Sequence, residues 1–137
     1  MSERLLIPWT PDLETGHPEI DAQHKTLIEA LNRLHTAILD GTGEDELGWC
    51  LSFLKAYTRV HFKTEEALLR KAGLDSEAHS AAHREFLASV DGLFARYVRQ
   101  ELGLISETEA ILQTWLIDHI QSDDQVVSLL PREADQG

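Results

Sequence analysis

Five of the chain's seven histidines fall on the lines that the inward side of a helix would occupy, and that placement restricts the folds open to the sequence. His61-x-x-x-Glu65 and His79-x-x-x-His83 each put two side chains one turn apart on a single helix face. His24 takes a slot in the series Ile20, His24, Leu27, Leu31, Leu34, Ile38, whose alternating steps of four and three form the seam of a helix packed at a shallow angle in a bundle. His119 follows Leu112, Trp115 and Leu116 in the same way, with Asp124 beyond it. Burying imidazoles and carboxylates without partners costs several kcal/mol each, more than a marginally stable domain tolerates. Such a cluster needs a metal.

The helices that carry these residues can be read from periodicity and punctuation. An arm containing Pro8, Pro11 and Gly16 leads to His17-Pro18, where proline suits the first helical position and Glu19 and Asp21 favour the positive end of the dipole. This first helix runs to about Gly41. Thr42-Gly43 makes the turn into a second, which follows Leu47, Leu51, Leu54, Thr58, His61, Glu65, Leu68 and Ala72 to a stop at Gly73. A third starts at Asp75 or Ser76, follows His79, His83, Phe86, Val90, Leu93 and Tyr97, and frays near Gly103. The fourth opens on Ser106-x-x-Glu109, read as a capping box, carries Val126 and Leu129 inward, and ends at Pro131. Short connections make sequential neighbours antiparallel. The expected fold is all-α: an up-down-up-down antiparallel four-helix bundle over 18–131, with an N-terminal arm (1–17) packed on it and a flexible tail (132–137).

Bulk properties narrow the function classes. With 137 residues the chain suits one domain, and its longest apolar runs fall far short of the ~20 residues that span a bilayer. A formal charge of −12, with no local basic cluster, disfavours nucleic acid and anionic lipid. Cys50 is the only cysteine and reads as a packing residue; together with a start too weakly apolar for a signal peptide, it points to the cytoplasm. The exposed faces show no decisive oligomer seam, so a monomer is expected.

Convergence follows from loop positions and the rise per residue. Reflecting the helices about their turns puts His24 opposite the region of His61, Glu65 level with His83, and His83 near His119, to within about one turn of 5.4 Å. All four helices thus deliver ligand types to one layer. His17, ahead of the first helix, and His35, beside its seam, read as solvated instead. Glu14-x-x-His17 lies in the arm and is not the inward motif of carboxylate di-iron enzymes. Five nitrogen and two oxygen donors exceed one tetrahedral zinc and lack thiolates, while calcium or magnesium would prefer oxygen. Imidazole with carboxylate suits iron, copper, zinc or manganese, and two bridged irons fit the count best.

Ile20-Asp21-Ala22-Gln23-His24-Lys25, His61-Phe62-x-x-Glu65-Glu66, His79-x-x-x-His83 and Trp115-Leu116-x-x-His119-Ile120 followed by Asp124 resemble the hemerythrin family, in its single-domain bacteriohemerythrin form. The match extends from Trp9 to the end of the fourth helix. The resemblance implies a non-haem di-iron centre with an oxo or hydroxo bridge that binds dioxygen reversibly. It assigns His79, His83 and His119 to one iron, His24 and His61 to the other, and Glu65 and Asp124 to both. Leu27, Ile28, Leu31, Phe62, Trp115, Leu116 and Ile117 would wall the pocket. Asp124 lies five residues beyond His119, a step that turns it about 140° away on a regular helix. Asp123 fits helical geometry better; the choice of Asp124 rests on resemblance and predicts a π-type widening near residues 121–124. Oxygen storage, buffering or delivery is the leading function, with no catalytic residue. The alternatives are oxygen or redox sensing through a separate partner, redox enzymology on peroxide, nitric oxide or ferrous iron, and a plain iron-binding bundle.

Overall fold

The computed structural model of the chain describes residues 6–74, 77–101 and 103–127, without the side chains of residues 78 and 123–127. Four helices make up the bundle: α1 (Pro18–Leu39), α2 (Gly43–Lys71), α3 (Glu77–Val98) and α4 (Leu104–Val127), preceded by a 3₁₀ turn, Pro11–Leu13. α1 packs on α2 and α4, α2 on α3, and α3 on α4, which closes the ring. No helix among the described residues is long and apolar enough to cross a membrane.

Helix α1 begins as its sequence dictates, with Pro18 in the first turn, but His17 is more than a solvated neighbour. Its Nδ1 accepts the Ile20 amide at 3.4 Å, so the imidazole caps the helix. Asp21 accepts hydrogen bonds from the amides of Thr15 and Gly16 and from the Thr15 hydroxyl, tying the arm to the first turn. Further up the arm, buried Asn32 of α1 donates to the Ile7 carbonyl and accepts the Ile7 amide, both at 2.8 Å. Asn32→Ala removes both bonds and strands two backbone groups, so it should destabilise the chain by about 2–3 kcal/mol in urea unfolding. A change within 0.5 kcal/mol, roughly that of an ordinary surface substitution, would show that the arm is not anchored there.

The turns depart from the sequence reading in instructive ways. Between α1 and α2 the left-handed residue is Gly41 (φ +85°), not Gly43, which already opens α2. Gly43 serves close approach instead: a Cβ there would lie 2.9 Å from Ile38 Cγ1. Gly73 (φ +75°) ends α2 as expected, with the Leu74 amide reaching back to the Leu69 carbonyl at 2.9 Å. The expected starts of α3 at Asp75 or Ser76, the stop at Pro131 and the tail lie outside the described residues. Helix α3 ends at Val98, well before Gly103, and Arg96 reaches across the junction to Glu101 and Glu107. Helix α4 starts at Leu104, two residues ahead of the expected capping box. Left-handed Gly103 (φ +75°) reverses the chain there, and buried Leu104 draws the first turn onto the core. Glu109 is thereby released from capping and pairs with His35 Nδ1 of α1 at 3.0 Å.

The core divides along the bundle axis. Toward the α1–α2 and α3–α4 turns it is apolar, built from Leu31, Leu34, Leu47, Leu51, Leu54, Val90, Leu93 and Leu112. Toward the α2–α3 turn the same stripes become polar. The α2 stripe runs through Leu69 rather than Leu68, because the four-residue step from Glu65 overshoots a full turn by only about 40° while the three-residue step falls about 60° short. Ile120 joins the α4 stripe. Cys50 is fully buried, and burial, reinforced by the nearby Glu46 charge against the opposing pull of Arg33, pushes its thiol up to about 12. Alkylation at pH 8 should therefore be at least about 100-fold slower in the native chain than in urea, and equal rates would mean an accessible thiol.

Candidate metal centre

The six ligand-type side chains that lie within the described residues meet in one layer. Helix α1 supplies His24, α2 supplies His61 and Glu65, α3 supplies His79 and His83, and α4 supplies His119; all are buried except half-buried His79. Glu65 stands at the centre. Its Oε1 bonds to Nε2 of His61 and, at 3.0 Å, to Nε2 of His119, while its Oε2 lies 2.7 Å from His79 Nε2 and 3.6 Å from His83 Nε2. Burial opposes ionisation of this carboxyl most strongly, yet the surrounding imidazoles of His119, His61, His79 and His83 together hold it well below the usual carboxylate range.

Two groups of potential ligand atoms result, each with its members within 4.8 Å of one another: His24, His61, Glu65 and His119 in one, and Glu65, His79 and His83 in the other. They share only Glu65. His119, which the family resemblance assigns with His79 and His83, here falls in the His24–His61 group. Its ring is nonetheless central, with centroids 5.2–6.1 Å from those of the four other imidazoles. The donor set fits metal ions that favour imidazole and carboxylate. His83 Nε2 adds a direct observation: it is buried and makes no hydrogen bond, although it faces the shared carboxylate.

Aromatic rings close the layer. Phe62 lies flat on His83 at 3.6 Å, Trp115 stacks on His119 at 4.7 Å, and Phe86 stacks on Trp115 at 3.5 Å. Leu27, Leu31 and Leu54, with Phe86, Leu112, Trp115 and Leu116, line an apolar cavity of about 10 Å³, room for roughly one water-sized molecule. Of the expected wall, Leu27, Leu31, Trp115 and Leu116 line this cavity. Phe62 covers a ligand ring instead, Ile28 lies in the core and Ile117 packs against it.

Two partners behind the ligands were not expected from the sequence. Gln23 Oε1 lies 2.7 Å from His61 Nδ1, and Glu66 Oε2 lies 2.9 Å from His83 Nδ1. Both adjoin a ligand in sequence, which is the one signal that could have singled them out. The side chains of Asp123 and Asp124 lie outside the described residues, whereas the backbone through residues 121–127 is α-helical, without the expected π-type widening. His17, His35 and Cys50 take no part in the cluster. His35→Ala should leave metal content unchanged while His61→Ala lowers it; parallel losses by elemental analysis would contradict this ligand layer.

Comparison with known proteins points the same way. A family model described as the hemerythrin HHE cation-binding domain matches residues 15–128. The bacteriohemerythrin of Pseudomonas aeruginosa (strain LESB58) is 36% identical over 118 residues, 85% of this chain and 75% of that protein. That of Methylococcus capsulatus is 31% identical over 123 residues, 88% and 93% of the respective chains. A crystal structure of wild-type hemerythrin superposes with a TM-score of 0.76 at 30% identity, covering 88% of this chain and 94% of that one.

Proposed function

The chain belongs to the hemerythrin family, and from that premise we propose that it holds two iron ions between its four helices and binds dioxygen reversibly, for storage, buffering or delivery. The observation that carries this reading is the position of Glu65, one buried carboxylate common to two groups of imidazoles. In the proposed site His24 and His61 would hold one ion and His79 and His83 the other, Glu65 and Asp124 would span both, and His119 would turn from the His24–His61 group it meets here to join His79 and His83, as the family resemblance assigns it. A ferrous pair supplies the two electrons that a reversible reduction of dioxygen requires, which no side chain in the layer can furnish.

The protein's own part is to hold, orient and exclude. Five neutral imidazoles bring less negative charge than a carboxylate-rich shell, so they stabilise strongly oxidised iron less and favour release over oxidation of a substrate. Phe62 and Trp115 cover ligand rings and keep water from the layer. The cavity beside Trp115 and Leu116 gives a small apolar guest a place one turn from His119.

The test is to admit dioxygen to the anaerobic ferrous protein and then remove it under argon, recording visible absorption and peroxide. Uptake of one dioxygen per chain, returned on deoxygenation without peroxide, is expected. Continuous consumption with peroxide release would identify a redox enzyme, and irreversible conversion to the ferric form would favour sensing.

A further inference from the structure

The bonds behind His61 form a chain whose direction is set at Thr64. Thr64 Oγ1 donates its single hydrogen to the Val60 carbonyl at 3.1 Å, so its oxygen must accept from Gln23 Nε2, 3.2 Å away. That turns the Gln23 carbonyl oxygen toward His61 Nδ1. A carbonyl only accepts, so His61 carries a proton on Nδ1, and Nε2 is the nitrogen that meets Glu65 and His119. On α3 the same result comes from a different group. The Glu66 carboxylate accepts from His83 Nδ1, which leaves His83 Nε2 as the buried atom without a hydrogen bond.

We infer that Gln23 and Glu66 are positioning residues for the metal centre: they lock Nε2 of His61 and His83 toward Glu65, and they make the two halves of the site electronically unequal. A neutral amide backs the His61 half. A carboxylate backs the His83 half, which makes that imidazole the stronger electron donor and its iron the more readily oxidised of the two. The electronic part rests on the two-iron reading above, whereas the tautomer part does not.

Two measurements separate them. In the full metal-free chain with ¹⁵N-labelled histidine, at mildly alkaline pH, His61 and His83 should both carry a proton on Nδ1. Gln23→Leu should disturb His61 alone and Glu66→Leu His83 alone. In the ferrous-loaded chain, each leucine variant should release iron to a chelator about 10–100-fold faster, with Gln23→Glu and Glu66→Gln restoring retention. Glu66→Gln should also raise the midpoint potential and Gln23→Glu lower it. Unchanged tautomers and unchanged release in the leucine variants overturn the positioning role. Unmoved potentials in the charge-changing variants overturn the electronic asymmetry. Tautomers that respond as described in a chain that fails to retain two irons uphold the positioning role and count against the two-iron reading alone.

Discussion

Replacing Glu65 with leucine is expected to remove both metal ions at once, although five imidazoles stay in place. Each of the two ligand groups includes this carboxylate, and no other acid within the described residues belongs to either. The loss is larger than that of one ligand because Glu65 is also the only negative charge in either group. Taking one partner from a buried charged set costs about 3–5 kcal/mol, or roughly two to four orders of magnitude in affinity at each site. Glu65→Gln preserves shape and one acceptor oxygen but cannot span two cations as a carboxylate does, and it should fall between leucine and the native residue. Metal per chain after dialysis, with helical content as a control for folding, reads the effect directly. The apolar half of the core, around Leu31, Leu51 and Val90, is remote from Glu65 and should keep the bundle helical. Retention of one ion at native affinity would mean that the two groups do not share Glu65.

The second large effect is on stability. Metal bound only by the folded chain adds RT ln(1 + [L]/Kd), about 4 kcal/mol per ion when the free ion exceeds its dissociation constant 1,000-fold. Two ions therefore add about 8 kcal/mol, and for a chain of this size each kcal/mol moves the melting temperature by roughly 3 °C. Stripping both ions with a chelator should lower the midpoint by about 24 °C. The shift should vanish in Glu65→Leu, because that variant has no ions to lose. A stripped native protein that melts within about 2 °C of the loaded one would show that the layer binds metal weakly or not at all.

Much of this organisation was legible in the sequence because helix stripes and their breakers are local. Pro18 and Gly73 mark ends whose geometry depends only on neighbouring residues, and the step from Leu54 through Thr58 to His61 and Glu65 already carries the change from apolar to polar core. Where a tertiary contact chose between local options, the sequence reading missed. Gly41 rather than Gly43 takes the left-handed reversal, while Gly43 opens α2 where only a hydrogen fits against Ile38. Leu104 starts α4 early because the core covers it, and Glu109 then finds His35 across the bundle. In the site, height along the helices brought His24, His61, Glu65, His79, His83 and His119 to one layer. Height says nothing about rotation around each axis, and in this structure the His119 nitrogen lies among those of His24 and His61. Gln23 and Glu66 escaped for a related reason. They sit beside the apolar stripes, where a polar residue looks like ordinary surface, and only the packed helices aim them at the backs of the ligands.

The most direct test of the shared two-metal layer is a titration of the metal-free chain with ferrous iron under argon, with free iron followed by a chromogenic chelator. Two ferrous ions should be taken up per chain before free iron accumulates. Saturation at a single ion, or none, would contradict a layer in which Glu65 serves two metals.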